Sequence, residues 1–262
     1  MAEAQRRSTS GTTFNDAEYL QRKADRANEE SGNLRGIDCA KCKNRGYITV
    51  VKNNTLEMRI CECEKARKAL SRMERTGIKT AIEELRFDNF KVSEEWQKEM
   101  LTVAQNYVTN GEGKWLFFGG TSGCGKTHLS TAVCGELLKQ GKDVRYMMWR
   151  DEGTQLKALA NQGEEYSQKI REIKVADVLY IDDFLKVQKG QKPTAADINL
   201  AFEILNYRYQ NKLRTIISTE LTINDILSLD DAVGGRIVQM SRSCGKNIGY
   251  DPKKNYRLRK ES

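Results

Sequence analysis

The stretch "GGTSGCGKT", residues 119–127, carries the spacing G-x-x-x-x-G-K-[ST] at Gly120, Gly125, Lys126 and Thr127. A hydrophobic run, "KWLFFGG", leads into it, and the helix-favouring "KTHLSTAVCGELLKQG" follows. In that context the glycines let backbone N–H groups turn inward around phosphate oxygens. The helix behind them adds the positive end of its dipole. Gly120, Thr121, Ser122, Gly123, Cys124, Gly125, Lys126, Thr127 and His128 are therefore expected around a bound ATP. Lys126 is expected to reach the β- and γ-phosphates, and Thr127 to hold Mg²⁺.

A second segment supplies carboxylates. "VLYIDDF" is an apolar strand ending in Asp182 and Asp183, and ligands bind at the carboxyl ends of strands in parallel sheets. Asp182 is expected on Mg²⁺, while Asp183 could orient or deprotonate an attacking water. A strand that simply ends in solvated acids is the competing reading. Ser218 and Thr219 close a later strand, "TIIST", where a polar side chain could sense the γ-phosphate; Thr219 is taken with Lys126, Asp182 and Asp183 as a catalytic candidate. His128 is the only histidine, but phosphoryl transfer in such loops requires no imidazole, so a packing role beside the loop fits it better. Cys124 reads as a small residue tolerated in the loop rather than a nucleophile.

Four cysteines form a separate constellation, Cys39-x₂-Cys42 followed by Cys61-x-Cys63. Four thiolates complete a tetrahedral structural Zn²⁺ site and leave no open position for chemistry. "RGYITVV" and "TLEMRI" can pair as a hairpin, with "KNN" as the turn, returning the second pair to the first. Redox thiols and unrelated core cysteines are the alternatives to zinc. A module this small has too little core to fold alone, so metal would contribute directly to its folding.

The remaining pattern shows what must position these groups. The polar N-terminus and the lack of a long apolar run point to a soluble cytoplasmic protein without a membrane segment. Residues 1–13 read as a tail. Residues 14–80 form an N-terminal domain of charged helices around the cysteines, 81–95 a linker, and 96–262 an α/β domain. In that last part helices and strands alternate, with a helix capped at Thr194, which argues for a mostly parallel sheet. A strand after the Asp strand suits an AAA+ ATPase better than a small-molecule kinase. The net charge of +8 favours an anionic partner only weakly. Lys157, Lys169, Arg171 and Lys174 make one candidate nucleic-acid surface. The basic C-terminus makes another, where Tyr250 and Tyr256 could stack on bases.

The motifs "LRFDNFKVSEEWQ", "LFFGGTSGCGKTHLSTAV", "VLYIDDF", "TIISTELTINDI", "GGRI" and "NYRLRK", in this order, resemble bacterial and phage replicative-helicase loaders of the DnaC/DnaI type. The resemblance spans about residues 35–260. It implies an AAA+ domain with a shortened lid that self-associates and binds ATP at subunit boundaries. It also implies an N-terminal module that grips a hexameric helicase and delivers it to single-stranded DNA. In such loaders an arginine completes the neighbouring subunit's site; Arg236 in "GGRI" is the first candidate. A second family arginine is replaced here by Met240, and Arg242 could substitute. Arg257 matches the arginine that contacts nucleotide within its own subunit. A transposition helper of the IstB type shares much of the ATPase pattern but generally has a different N-terminal segment. A DNA-binding regulator switched by ATP is a third reading.

If the four cysteines hold zinc, the purified chain will contain about one equivalent, and Cys61→Ser will lose it; full retention by elemental analysis would refute the four-thiolate site.

Overall fold

The computed structural model describes residues 16–75, 78–188 and 190–258; the tail expected over 1–13, together with Arg259 and Lys260, lies outside them. Two compact units divide the chain, one ending at Glu64 and the other beginning at Lys65.

The first unit is built on a hairpin. Strands β1 (Tyr47–Lys52) and β2 (Thr55–Ile60) pair antiparallel, with Lys52 opposite Thr55. Asn53 and Asn54 between them have φ of 50° and 57°, the left-handed pair that a two-residue turn matching strand twist requires. Helix α1 (Asp16–Glu29) is fastened to the outer edge of β1 by one side chain. Asn28 donates to the Thr49 carbonyl at 2.8 Å and accepts from the Thr49 N–H at 2.8 Å. The buried centre is small: Cys42, Cys61 and Cys63, with Cys39 and Ile48 against them. β2 is exposed along its whole length.

The second unit opens with α2 (Cys63–Arg75), whose first two residues, Cys63 and Glu64, belong to the first unit, and α3 (Ile78–Glu84). Its core is a five-stranded sheet in the order β4–β5–β6–β3–β7, parallel throughout. The strands are β3 (Trp115–Gly120), β4 (Val144–Met148), β5 (Val178–Asp182), β6 (Arg214–Thr219) and β7 (Gly245–Ile248). The three central strands, β5, β6 and β3, are buried at every residue, as a parallel sheet covered on both faces demands. Helices α4 (Glu95–Asn110), α5 (Lys126–Lys139), α6 (Trp149–Ala158), α7 (Gly163–Val175), α8 (Ala195–Gln210), α9 (Ile223–Leu229) and α10 (Asp231–Ser241) complete the unit. Thr194 caps α8 as expected: its hydroxyl accepts from the Asp197 N–H at 3.3 Å, and Asp197 accepts from the Thr194 N–H at 2.9 Å. Helix α6 starts at Trp149, directly after β4. Trp149 is buried against Phe184, with ring centroids 5.0 Å apart, and no loop separates strand from helix.

The stretch 81–95, expected as a linker, falls within the second unit and touches the start of α5 through two residues. The Arg86 carbonyl lies 2.8 Å from His128 Nε2, and the Phe90 ring meets the His128 ring edge-on at 5.2 Å. Only α9, α10, β7 and two short 3₁₀ turns, Pro252–Lys254 and Tyr256–Leu258, follow β6 among the described residues. Among those residues no helix is long and apolar enough to cross a membrane.

Two buried arginines tie the sheet's lower ends together. Arg208 of α8 donates to the carbonyls of Lys174 and Ala176 at 2.9 Å, to Thr215 Oγ1 at 2.9 Å, and to the Arg214 carbonyl. It thereby closes the end of α7 onto the start of β6. Arg214 donates to the Tyr107 carbonyl at 2.8 Å and anchors the end of α4. Replacing Arg208 with Met leaves these buried acceptors unpaired. The expected loss is about 3 kcal/mol of unfolding free energy, read from urea denaturation.

Candidate functional site

The parallel order brings the carboxyl ends of β3, β5 and β6 side by side, with Gly119 opposite Thr219 in the β3–β6 pair. The loop after β3 turns there into α5. Gly120 has φ of 108°, and a Cβ on it would lie 1.7 Å from the Ile248 carbonyl oxygen. Gly123 has φ of 71°, and a Cβ there would lie 1.9 Å from Asn255 Oδ1. With the Ile248 backbone against one glycine, the Asn255 side chain against the other and both at positive φ, these positions suit glycine alone. Lys126 is almost fully buried, and its ammonium donates to the carbonyls of Gly120 and Thr121 at 2.8 and 2.7 Å. Burial pulls it below the usual lysine range. A buried ammonium within an anion-binding loop suits a polyphosphate, so the chain's residues fit a nucleotide here.

Asp182 sits at the end of β5, nearly buried. Its Oδ1 accepts from Thr127 Oγ1 at 3.2 Å, from the Asp183 N–H at 3.1 Å and from the Ser218 hydroxyl; Oδ2 accepts from the Tyr146 hydroxyl at 3.4 Å. Thr127 and Asp182 are thus oxygen donors close enough to share one hard cation, which fits the Mg²⁺ expectation. Burial and Asp182 push the Tyr146 hydroxyl far up, so it stays a proton donor to the carboxylate. Asp183 projects from the next position with φ of 53°. Burial raises its carboxyl above the usual range, against the opposing ammonium of Lys186.

The other predicted residues fall in different places. Thr121 Oγ1 donates to the Gly249 carbonyl at 2.6 Å, and Ser122 is hydrogen-bonded to Glu220. The Cys124 thiol is buried and raised by that burial, in keeping with a small packing residue. Thr219 does not face the Asp pair. Its hydroxyl donates to the Phe184 carbonyl at 2.7 Å and accepts from the Leu221 N–H at 3.1 Å. Strand alternation turns Ser218, not Thr219, toward Asp182. Arg257 lies in the turn above the loop, where the Tyr256 N–H donates to the Gly123 carbonyl at 3.0 Å. Arg236 sits on α10, bonded to Asn206 at 2.8 Å and to the Ala232 carbonyl at 2.7 Å, with its guanidinium 4.7 Å from the Phe202 ring. None of those partners belongs to the loop. Arg242 caps the end of α10 and is exposed.

Of the cationic surface expected from Lys157, Lys169, Arg171 and Lys174, the three lysines each have an acidic partner. Lys157 pairs with Asp197 at 2.5 Å, Lys169 with Glu165 at 3.4 Å and Lys174 with Glu203 at 3.0 Å. Of the C-terminal tyrosines, Tyr250 donates to the Asp225 carboxylate at 2.9 Å and the Glu220 carbonyl at 3.1 Å. A different groove, of about 280 Å³, carries exposed Arg150 and Lys192 beside Lys157, Gln188 and Gln191. Sequence reasoning missed these, together with Tyr146, Lys186 and Glu220. The only local signal was a lysine three positions beyond the Asp pair.

In the first unit the four sulfurs lie within 4.8 Å of one another, Cys39 to Cys61 at 3.8 Å and Cys42 to Cys63 at 3.5 Å. A Zn–S bond of about 2.3 Å in a tetrahedron puts sulfurs about 3.8 Å apart, so the cluster fits zinc. Gly46 N–H donates to Cys42 Sγ at 3.3 Å. Burial opposes ionisation of that thiol, but this N–H and the neighbouring thiols hold it below the ordinary range.

Residues 49–234 match the family described as "IstB-like ATP binding protein". The "Phage-like element PBSX protein XkdC" of Bacillus subtilis (strain 168) is 33% identical over 214 residues, covering 78% of this chain and 79% of that protein. The "Replicative helicase loader DnaC" of Escherichia coli (strain K12) is 30% identical over 171 residues, covering 64% of this chain and 67% of that one. The solved structure described as "Crystal structure of the DnaC helicase loader" superposes with a TM-score of 0.53 at 23% identity, covering 65% of this chain and 99% of that chain. With its strand–loop–helix phosphate cradle and five-stranded parallel sheet of AAA+ type, the chain belongs to the IstB-like ATP-binding family.

Proposed function

We propose that this protein is an ATP-dependent loader that binds a replicative hexameric helicase in the cytoplasm and delivers it to single-stranded DNA. The observation that carries this reading is the joining, in one chain, of a phosphate site to a separate cysteine-centred unit with a bare apolar strand. On β2 the side chains of Leu56, Met58 and Ile60 share one face, and Met58 and Ile60 are 76% and 72% exposed. Such a stripe on a soluble unit marks a protein-binding surface. The zinc-ligated cysteines would fix the hairpin that displays it, so the metal acts through structure rather than chemistry.

As a member of its family the chain is a nucleotide-binding ATPase. ATP with Mg²⁺ supplies the phosphoanhydride and the cation that neutralises its phosphates. Lys126 and the amides of residues 120–127 would bind the phosphates, and Thr127 with Asp182 would hold the cation. Ser218 and Tyr146 orient Asp182, and Asp183 would take the proton of the attacking water. Arg257 lies on the turn that rests against the cradle, which supports its assignment as the arginine acting within the subunit. Arg236 is held by Asn206, whereas Arg242 is exposed at the end of α10; this favours Arg242 as the residue offered to a neighbouring subunit. The groove bearing Arg150 and Lys192 would take the phosphates of the DNA strand.

Full-length protein is expected to capture the hexameric helicase in a pull-down, and the double change Met58→Asp, Ile60→Asp to weaken capture by at least about tenfold while zinc is retained. Capture of a transposase in place of any helicase would overturn the loader reading in favour of a transposition helper. Lys126→Ala is expected to lower nucleotide affinity by about a hundredfold and leave helicase capture intact. Unchanged nucleotide binding would contradict the assigned phosphate site.

A further inference from the structure

The Asp183 carboxylate already has a partner. Its two oxygens lie 3.2 and 3.1 Å from the ammonium of Lys186. The same ammonium lies 3.2 Å from Glu220 Oε1, and Glu220 is also hydrogen-bonded by Ser122 of the phosphate loop. One lysine thus stands between two carboxylates at equal range. Burial works against its charge, but the two acids hold the proton on it.

This meeting depends on an unusual turn. Asp183 and Leu185 both occupy the left-handed region, with φ of 53° and 56°, which is uncommon for a bulky residue such as Leu185. The turn is held by the Phe184 N–H donating to the Ser218 carbonyl at 2.9 Å, by Thr219 on the Phe184 carbonyl, and by the Lys186 N–H donating to the Asp183 carbonyl at 2.9 Å. The chain is thereby bent so that residue 186 comes back over residue 183. The Lys186, Asp183 and Glu220 side chains are 33%, 38% and 41% exposed, so these ion pairs add little to stability. Their consequence is the state of the carboxylate. With one ammonium across both oxygens, the carboxylate is held toward Lys186 rather than toward a water it must activate.

We propose that Lys186 is a positioning residue that restrains Asp183, and that passage of its ammonium to Glu220 releases the carboxylate for proton transfer. The proposal rests on the reading of Asp183 as the water-activating group. Backbone strain of the kind found at residues 183 and 185 is where bistable elements are expected.

The test compares full-length wild type, Lys186→Met, Lys186→Arg and Asp183→Asn, measuring steady-state ATP hydrolysis across pH and ATP affinity by direct binding. Lys186→Met is expected to raise kcat about tenfold with KM and ATP affinity unchanged. Lys186→Arg keeps the charge and should keep the wild-type rate, a distinction that a purely structural role would not produce. Asp183→Asn should bind ATP and not hydrolyse it. An unchanged or lower kcat in Lys186→Met, with Asp183→Asn inactive, overturns the restraint alone. Hydrolysis at the wild-type rate by Asp183→Asn overturns the Asp183 assignment and the restraint with it.

Discussion

A buried carboxylate must be paid for with hydrogen bonds, and Asp182 draws its donors from three neighbouring elements. Thr127 comes from α5, Ser218 from β6 and Tyr146 from β4, and the Asp183 amide adds a fourth donor. Such an assembly is possible only when β5 lies between β4 and β6 with their carboxyl ends level. The strand order is therefore the arrangement that makes a charged group tolerable at the centre of the sheet. A divalent cation at the same oxygens would lower the remaining cost further.

Much of this could be read from the chain directly, for a local reason. The phosphate loop is contiguous, and its glycines, lysine and threonine carry their geometry with them. The buried strands announce themselves as unbroken apolar runs, and the Thr194–Asp197 cap is a three-residue relation. The hairpin turn at Asn53–Asn54 is equally local. What escaped detection depends on residues distant in sequence. Lys157 and Lys174 look like parts of a basic surface until Asp197 and Glu203, on another helix, are seen to neutralise them. Thr219 and Ser218 differ only in which way the pleat turns them, and a single step in register decides which one reaches Asp182. Glu220 and Lys186 meet through a turn made by non-glycine residues in the left-handed region, which no composition signal marks.

The two units solve the problem of size differently. The second buries a contiguous apolar core around Trp115, Phe117, Ile181, Phe184 and Ile217 and closes its polar ends with Arg208 and Arg214. The first has almost no apolar interior beyond its cysteines, so the four sulfurs occupy the place that leucine and isoleucine take elsewhere. That economy leaves its apolar side chains on β2 available for the outside.

The phosphate loop is gripped from both directions along the chain. Before it, the Arg86 carbonyl reaches His128; after it, the Ile248 carbonyl takes the Thr121 N–H, and the Tyr256 N–H reaches Gly123. A nascent chain still short of β7 lacks half of this grip, because contacts of such sequence separation form late. Loss of the chain from Gly245 onward would thus remove the carbonyl and the amide that brace the loop from one side, while keeping every residue that hydrogen-bonds Asp182.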